Sequence, residues 1–257
     1  MRIASSWRWW TWPKPRRDGP RVLVALAVLA LAACELHVGP VDVVRGSGNV
    51  KTESREVQGF EGVEVAGVGT LTITPGSTEA LTIQAEDNIL PRLRSDVEAG
   101  TLKLGPRGIS IGPTKPIRYD LTVKQLDSVV VTGAASAHAA GIQADKLTLR
   151  VSGAGKIDAQ RVATGALSVD ISGSGQVTAS GQAAQQTVTI SGAGRYQAPD
   201  LASQQATVDV SGAGDSAVRV SDHLSVNISG AGNVGYAGSP TVEQHVSGAG
   251  KVTRTGP

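Results

Sequence analysis

The chain has 257 residues, with 24 Lys and Arg against 22 Asp and Glu, 32 glycines, one cysteine and only 3% aromatic residues. So little aromatic bulk speaks against a compact α/β enzyme of this length and for a thin, layered core of Val, Ile, Leu and Ala. A single cysteine excludes an intramolecular disulfide, and beyond the N-terminus no basic stretch points to a nucleic-acid partner.

Residues 1–33 read as an export signal. They hold six Lys or Arg and one acid, together with all four tryptophans, and from Val22 to Ala33 the chain runs VLVALAVLALAA. About twelve uncharged residues suit a signal-peptide core and are too few to span a bilayer as a helix. The run leads into Leu31-Ala32-Ala33-Cys34, which resembles the bacterial lipobox. That resemblance implies acylation of Cys34, cleavage before it, and a bacterial envelope protein anchored through lipid. Arg16-Arg17 hints at twin-arginine export, but Asp18-Gly19-Pro20 follows where apolar residues are needed, so the ordinary secretory route is expected. Without residues 1–33 the chain keeps 18 basic and 21 acidic residues, a net charge near −3. Acyl chains, at roughly 0.8 kcal/mol per buried methylene, and not charge, would hold it to its membrane.

Residues 34–59 read as a tether with a first strand. Residues 60–145 are expected to be less regular β-structure that caps the repeats C-terminal to it. Strand candidates are Val63-Glu64-Val65, Leu71-Thr72-Ile73, Leu81-Thr82-Ile83, Leu102-Lys103-Leu104 and Tyr119 to Val123. A short helix fits Ile89 to Leu93, weakened by Pro91.

From 146 to 257 a repeat organises the sequence. Ser-Gly-Ala-Gly or Ser-Gly-Ser-Gly begins at Ser152, Ser172, Ser191, Ser211, Ser229 and Ser247, at intervals of 20, 19, 20, 18 and 18 residues. Thr132-Gly133-Ala134 looks like a worn earlier copy. The residue before each serine is Val151, Ile171, Ile190, Val210, Ile228 or Val246. Two residues earlier come Leu149, Val169, Val188, Val208, Val226 and then, breaking the series, Gln244. Polar residues alternate with these, the mark of strands with one buried face. The constant phase predicts stacked coils: an all-β parallel β-helix or solenoid, with strands about 4.8 Å apart. The glycines are expected to form tight corners, the serines a hydrogen-bonded ladder along them, and Lys156 to Ala159 and its equivalents a second short strand. Intervals of 19 and 20 break the multiples of six of left-handed hexapeptide helices, so right-handed coils are favoured.

These residues resemble the putative auto-transporter adhesin, head GIN domain family. The front pattern is FEGVEVAGVGTLTITPGSTEALTIQAEDNILPRLRSDVEAGTLKLG, from Phe60 on, and the rear pattern is V-x-[VI]-S-G-[AS]-G, as in Val169–Gly175. The resemblance covers nearly all of the chain after Cys34. It implies a β-helix-like fold and envelope export, and brings with it no established activity and no binding residues.

The chemistry is sparse. The Gly-Ala-Gly corners join strand to strand and do not open a helix, so they are not phosphate loops, and six copies of one serine are structural. His37, His138, His223 and His245 lack metal-ligand spacing, Asp222-His223 reads as a turn, and no cofactor or metal is expected. The candidate binding surface is one outward row, Arg150, Asp170, Asp209, Asn227 and His245, in which Arg150 should neighbour Asp170 and Asp209 should neighbour Asn227. With the two aspartates two coils apart, the row is too sparse for a calcium cluster. The expected function is non-enzymatic display of an extended surface for adhesion, scaffolding or glycan contact. Partners would be membrane lipid through Cys34, and a glycan or envelope protein. The rival is a β-helical polysaccharide-processing enzyme, with a hexapeptide-type acyltransferase more distant.

Overall fold

A computed structural model describes residues 43–256. The front contains β1 (Val43–Arg45), β2 (Val50–Arg55), β3 (Gly62–Gly67), β4 (Thr70–Pro75) and β5 (Ala80–Glu86). Next come a 3₁₀ turn (Leu90–Arg92), β6 (Leu93–Glu98), β7 (Thr101–Pro106), β8 (Ser110–Gly112) and β9 (Arg118–Val123). The rest is β10 (Ser128–Gly133), β11 (Ser136–Ala140), β12 (Gln143–Gly153), β13 (Lys156–Gly173), β14 (Gln176–Gly192), β15 (Arg195–Gly212), β16 (Asp215–Gly230), β17 (Asn233–Ala237), β18 (Thr241–Gly248) and β19 (Lys251–Gly256). The helix expected near Ile89 is the single 3₁₀ turn. Pro91 supplies no N–H for a longer helix, and Leu93 already has extended φ and ψ.

The protein is a parallel β-solenoid. Face one stacks β7, β3, β10 and the C-terminal halves of β12 to β16, ending in β18. Face two stacks β9, β4, β11 and the N-terminal halves of β13 to β16, followed by β17 and β19. A short third side joins the faces, as where Ala163 pairs Gln182. Sequence alternation suggests two separate strands per coil, whereas β13 to β16 run on through both faces. The bends are taken up by bulges, such as the register shift between Ala159 and Val162. β12 spans positions 145 and 146, so the ladder crosses from the irregular part to the repeats without a break.

The stack is not built in chain order. β3 and β4 form a coil in its interior, and the chain then leaves to make β5 to β9, which lie outside that coil. It returns as β10, on the other side of β3. This excursion is the expected cap. β5 runs antiparallel to β9, β2 antiparallel to β5, and β6 antiparallel to β7, closing one end of the ladder. Phe60, Ile89, Leu90 and Leu93 are buried there.

Inside, like residues stack in register. Val65, Val131, Val151, Ile171, Ile190, Val210 and Ile228 form one row, and Leu102, Val63, Val129, Leu149, Val169, Val188, Val208 and Val226 form the next. All are buried, each worth roughly 1.5–3 kcal/mol against exposure.

The two corner glycines do different work. Gly173 has φ +109, and a Cβ on it would lie 2.6 Å from the carbonyl oxygen of Gly153, one coil back. Gly175 needs no positive φ; a Cβ there would overlap the Val151 side chain. The serine ladder takes a different form from that expected. Ser152, Ser172, Ser191, Ser211, Ser229 and Ser247 align in register, but they are exposed and no hydrogen bond joins one hydroxyl to the next among the described residues. Backbone groups hold the corner instead, as where Ser174 N–H donates to Gly153 O at 2.9 Å.

Candidate functional site

The outward row of face one is longer than the sequence suggests. In register it reads Lys103, Glu64, Val130, Arg150, Asp170, Thr189, Asp209, Asn227 and His245. The five residues singled out from the sequence therefore do lie on one sheet face. Alternation puts them outward because the residues on either side of each in the strand stand in the inward rows, packed in every case but that of His245 at the last strand.

Contacts within the row are pairwise. Arg150 donates to Asp170 Oδ2 at 3.2 Å, and Asn227 Nδ2 donates to Asp209 Oδ1 at 2.8 Å. Lys103 Nζ lies 3.2 Å from Glu64 Oε2 at the capped end. Thr189 separates the two aspartates, and His245 lies beside Asn227 at the last strand. Arg150 remains about half-exposed, with 57% of its side chain accessible. A pair so open to water contributes roughly 0–1 kcal/mol. Each carboxylate is thus engaged by a neighbour and not aimed with the other at a common point. Among the described residues, no three His, Cys, Asp or Glu side chains group closely enough to hold a metal ion.

Two hydroxyl-rich rows flank the charged one. On one side run Ser128, Thr148, Ser168, Thr187, Thr207 and Ser225, and on the other the corner serines. Thr189, Asp209, Asn227 and His245 border a shallow depression of about 370 Å³. Face two carries a second charged row, where Asp215 takes Arg195 at 3.4 Å and Asn233 at 3.0 Å. His138 sits 3.6 Å from Asp158 on that face. Asp222 and His223 lie within β16, exposed, not in the turn expected of them. The export signal, Cys34 and His37 lie outside the described residues.

Three features escape the sequence reading. The third side is a groove of about 820 Å³ lined by small residues such as Ala144, Ala163, Ala183 and Ala202, with Arg219 at its edge. Beneath it, Gln186 replaces a leucine in the row Leu147, Leu167, Gln186, Ala206, Leu224. It accepts the Tyr196 hydroxyl at 3.0 Å and donates to Ser203 Oγ at 2.6 Å, and Ser203 donates on to Arg219 O at 2.7 Å. Burial holds the Tyr196 hydroxyl far above its ordinary pKa, so it stays a neutral donor. The third feature is Glu86. It is buried and accepts from the Thr114 hydroxyl at 2.5 Å and from the backbone N–H groups of Gly48, Thr114 and Lys115. A polar residue in an apolar row was the readable sign of the second feature; the groove runs along the third side of the repeating coils, and Glu86 comes from a region without a repeat.

A family model for the putative auto-transporter adhesin, head GIN domain, matches residues 59–240. The chain belongs to this family. Solved structures share its fold. A putative adhesin from Bacteroides fragilis is 23% identical, with a TM-score of 0.78 over 82% of this chain and 100% of that one. A putative adhesin from Parabacteroides distasonis is 24% identical, with a TM-score of 0.68 over 83% and 100%. A putative lipid binding protein from the same species is 19% identical, with a TM-score of 0.69 over 82% and 99%. No curated protein matches the chain. The head GIN match starts beside Phe60 and ends before β18, so it takes in the cap from β3 on, without β1 and β2, and all but the last coil.

Proposed function

We propose that this head GIN protein is exported, anchored by lipid on Cys34, and acts without catalysis by displaying its solenoid surface for adhesion to a protein partner. The observation that carries the reading is the arrangement of the outward row. Its charges are distributed along the ladder in separate pairs, Lys103–Glu64, Arg150–Asp170 and Asn227–Asp209. Hydrolysis of a glycosidic bond by a carboxyl pair needs both groups flanking that bond, whereas a broad recognition surface needs spread polarity. The family's adhesin description supports the same direction. A protein partner fits better than a glycan, because Phe60, Tyr119 and Tyr196 are buried and Tyr236 is half-buried, leaving no open ring for sugar stacking among the described residues. The described chain begins at the capped end, where β1 pairs β8. Residues 35–42 would span at most about 28 Å when extended, which keeps that end near the membrane.

Two measurements test this. Metabolic labelling with a fatty-acid analogue should mark the wild type and not Cys34→Ser; label persisting on the serine variant overturns the anchor. A panel of acidic and neutral polysaccharides, with and without calcium, should show no depolymerisation. Turnover abolished by Asp170→Asn or Asp209→Asn alone overturns the display reading in favour of a lyase-like one, since a general acid or base is worth roughly 10²–10⁴-fold.

A further inference from the structure

The two ends of the solenoid are treated differently. One is closed by β2, β5 and β6, while the other ends in β18 and β19, which among the described residues pair on one side only, with β16 and β17. Val246 is 38% exposed, although Ile228, its neighbour in the same row, is 1% exposed. The hydrogen-bond phase shows which groups β18 leaves open. Thr148 N–H donates back to Asp127 O at 2.7 Å and Ala249 N–H back to Gly230 O at 2.9 Å. Residues in that phase therefore face the preceding coil. In β18 these are Glu243 and His245, in register with Ser225 and Asn227. The alternate residues, Val242, Gln244 and Val246, turn both N–H and C=O to the free edge.

The sequence along that edge, Val242-Glu243-Gln244-His245-Val246, complements itself when run antiparallel. With a two-fold axis at Gln244, Val242 faces Val246 of a second copy, Glu243 faces its His245, and Gln244 faces its own counterpart. Val242, Gln244 and Val246 are the residues whose backbone groups are free, so this register makes six backbone hydrogen bonds. A slip by one residue would put edge-facing groups opposite inward-facing ones and lose them. The outward side chains match a carboxylate with an imidazole on both sides of the axis. Gln244, which interrupts an otherwise apolar row, meets a second amide able to satisfy it.

We propose that β18 is a homotypic docking edge, through which two copies of this chain join end to end in an antiparallel, two-fold pair. The inference deepens the adhesion reading and rests on it for its biological sense: the partner is another copy, and the pair carries its two capped ends, with their tethers, facing away from each other. Such an isologous contact closes on itself and stops at two copies.

Cysteine trapping on the full mature chain in detergent micelles tests the register. In a hydrogen-bonded antiparallel pair the Cα atoms on the axis are about 5.5 Å apart, within disulfide reach. Gln244→Cys should give a reducible dimer on oxidation. Val242→Cys and Val246→Cys should each stay monomeric alone and cross-link when the two chains are mixed. Thr253→Cys, on β19, should stay monomeric. Glu243→Lys should weaken pairing about tenfold in sedimentation, and Glu243→Lys with His245→Glu should restore it. Melting temperatures within a degree or two of wild type establish that each variant is folded. A monomeric Gln244→Cys chain, equal trapping at Thr253→Cys, or homodimers of Val246→Cys alone would overturn the proposal. A Cys34→Ser background should pair as well as wild type, so loss of the anchor and loss of the pair are read separately.

Discussion

The front of the molecule and its repeating coils are held together in different ways. Between residues 43 and 127 the strand ladders are joined by side-chain clasps, each made once. Arg55 donates to Leu93 O at 2.7 Å and Leu90 O at 2.8 Å, Asn88 takes Ser47 N–H and gives to Arg45 O, and Glu86 gathers four donors. From β10 onward the backbone ladder and stacked apolar rows do the holding, and side-chain hydrogen bonds are mostly between exposed neighbours. An irregular cap must specify every contact separately, whereas a solenoid specifies one coil and copies it. A change at a repeated position should thus behave alike in every coil, while a change in the cap should act only where it is made.

The largest effect should come from breaking a corner. Gly173→Val forces a branched side chain into φ +109 and against the Gly153 carbonyl. Roughly 1–3 kcal/mol of backbone strain adds to roughly 1–3 kcal/mol of overpacking. Denaturant melts should show a loss of that order for Gly173→Val, a loss of similar size at Gly212 in another coil, and a comparable one for Gly175→Val through its overlap with Val151. Ser174→Ala should stay within about 0.5 kcal/mol, since Ser174 is exposed and sister copies carry alanine. Equal effects at Gly173 and Ser174 would dismiss the corner geometry.

Next in size is the exception inside the repeat. Gln186→Leu restores the apolar row but leaves the buried Tyr196 hydroxyl without its acceptor, at about 1–3 kcal/mol. Adding Tyr196→Phe should recover most of that loss, because both partners are then apolar. A double variant as unstable as the single one would mean that Gln186 matters for its shape and not for its hydrogen bonds.

The coils were legible because alternation and a constant phase determine which residues face inward and which strands are neighbours. From these the Arg150–Asp170 and Asp209–Asn227 contacts follow directly. The cap was legible as less regular β-structure closing the stack, but not in its strand pairings. That β3 lies inside the stack, with β7 and β9 outside it, depends on pairings between segments that share no motif, and no local pattern encodes them. The Gln186–Tyr196–Ser203 chain was partly visible, since a buried glutamine in a leucine row is a marked anomaly, but its partners sit 10 and 17 residues away around a bend. The serine corner was misjudged for a physical reason. Backbone N–H groups already satisfy the corner carbonyls, so the hydroxyls are left to solvent.

The smallest and most local effect sharpens the contrast from the side of the cap. The Thr114 hydroxyl, then the N–H groups of Thr114, Gly48 and Lys115, hold the Glu86 carboxyl below its ordinary pKa of 4.5, against the opposing pull of desolvation. A carboxyl whose pKa is lower in the folded state stabilises that state fully above 4.5, and the contribution fades as pH falls through the lower folded value. Acid should therefore loosen what Glu86 ties together: the segment Gly46 to Asn49, which enters β2, and the loop at Thr114 and Lys115. Hydrogen exchange, corrected for its intrinsic pH dependence, should show those amides losing protection in acid while the amides of Val188 and Val208 keep theirs. Glu86→Gln should show the loosened pattern already at neutral pH, because its amide nitrogen meets donors it cannot accept from, and should add no further change on acidification. Protection lost evenly along the whole ladder would mean that the cap and the coils open as one unit, and that the front is not held by its own clasps.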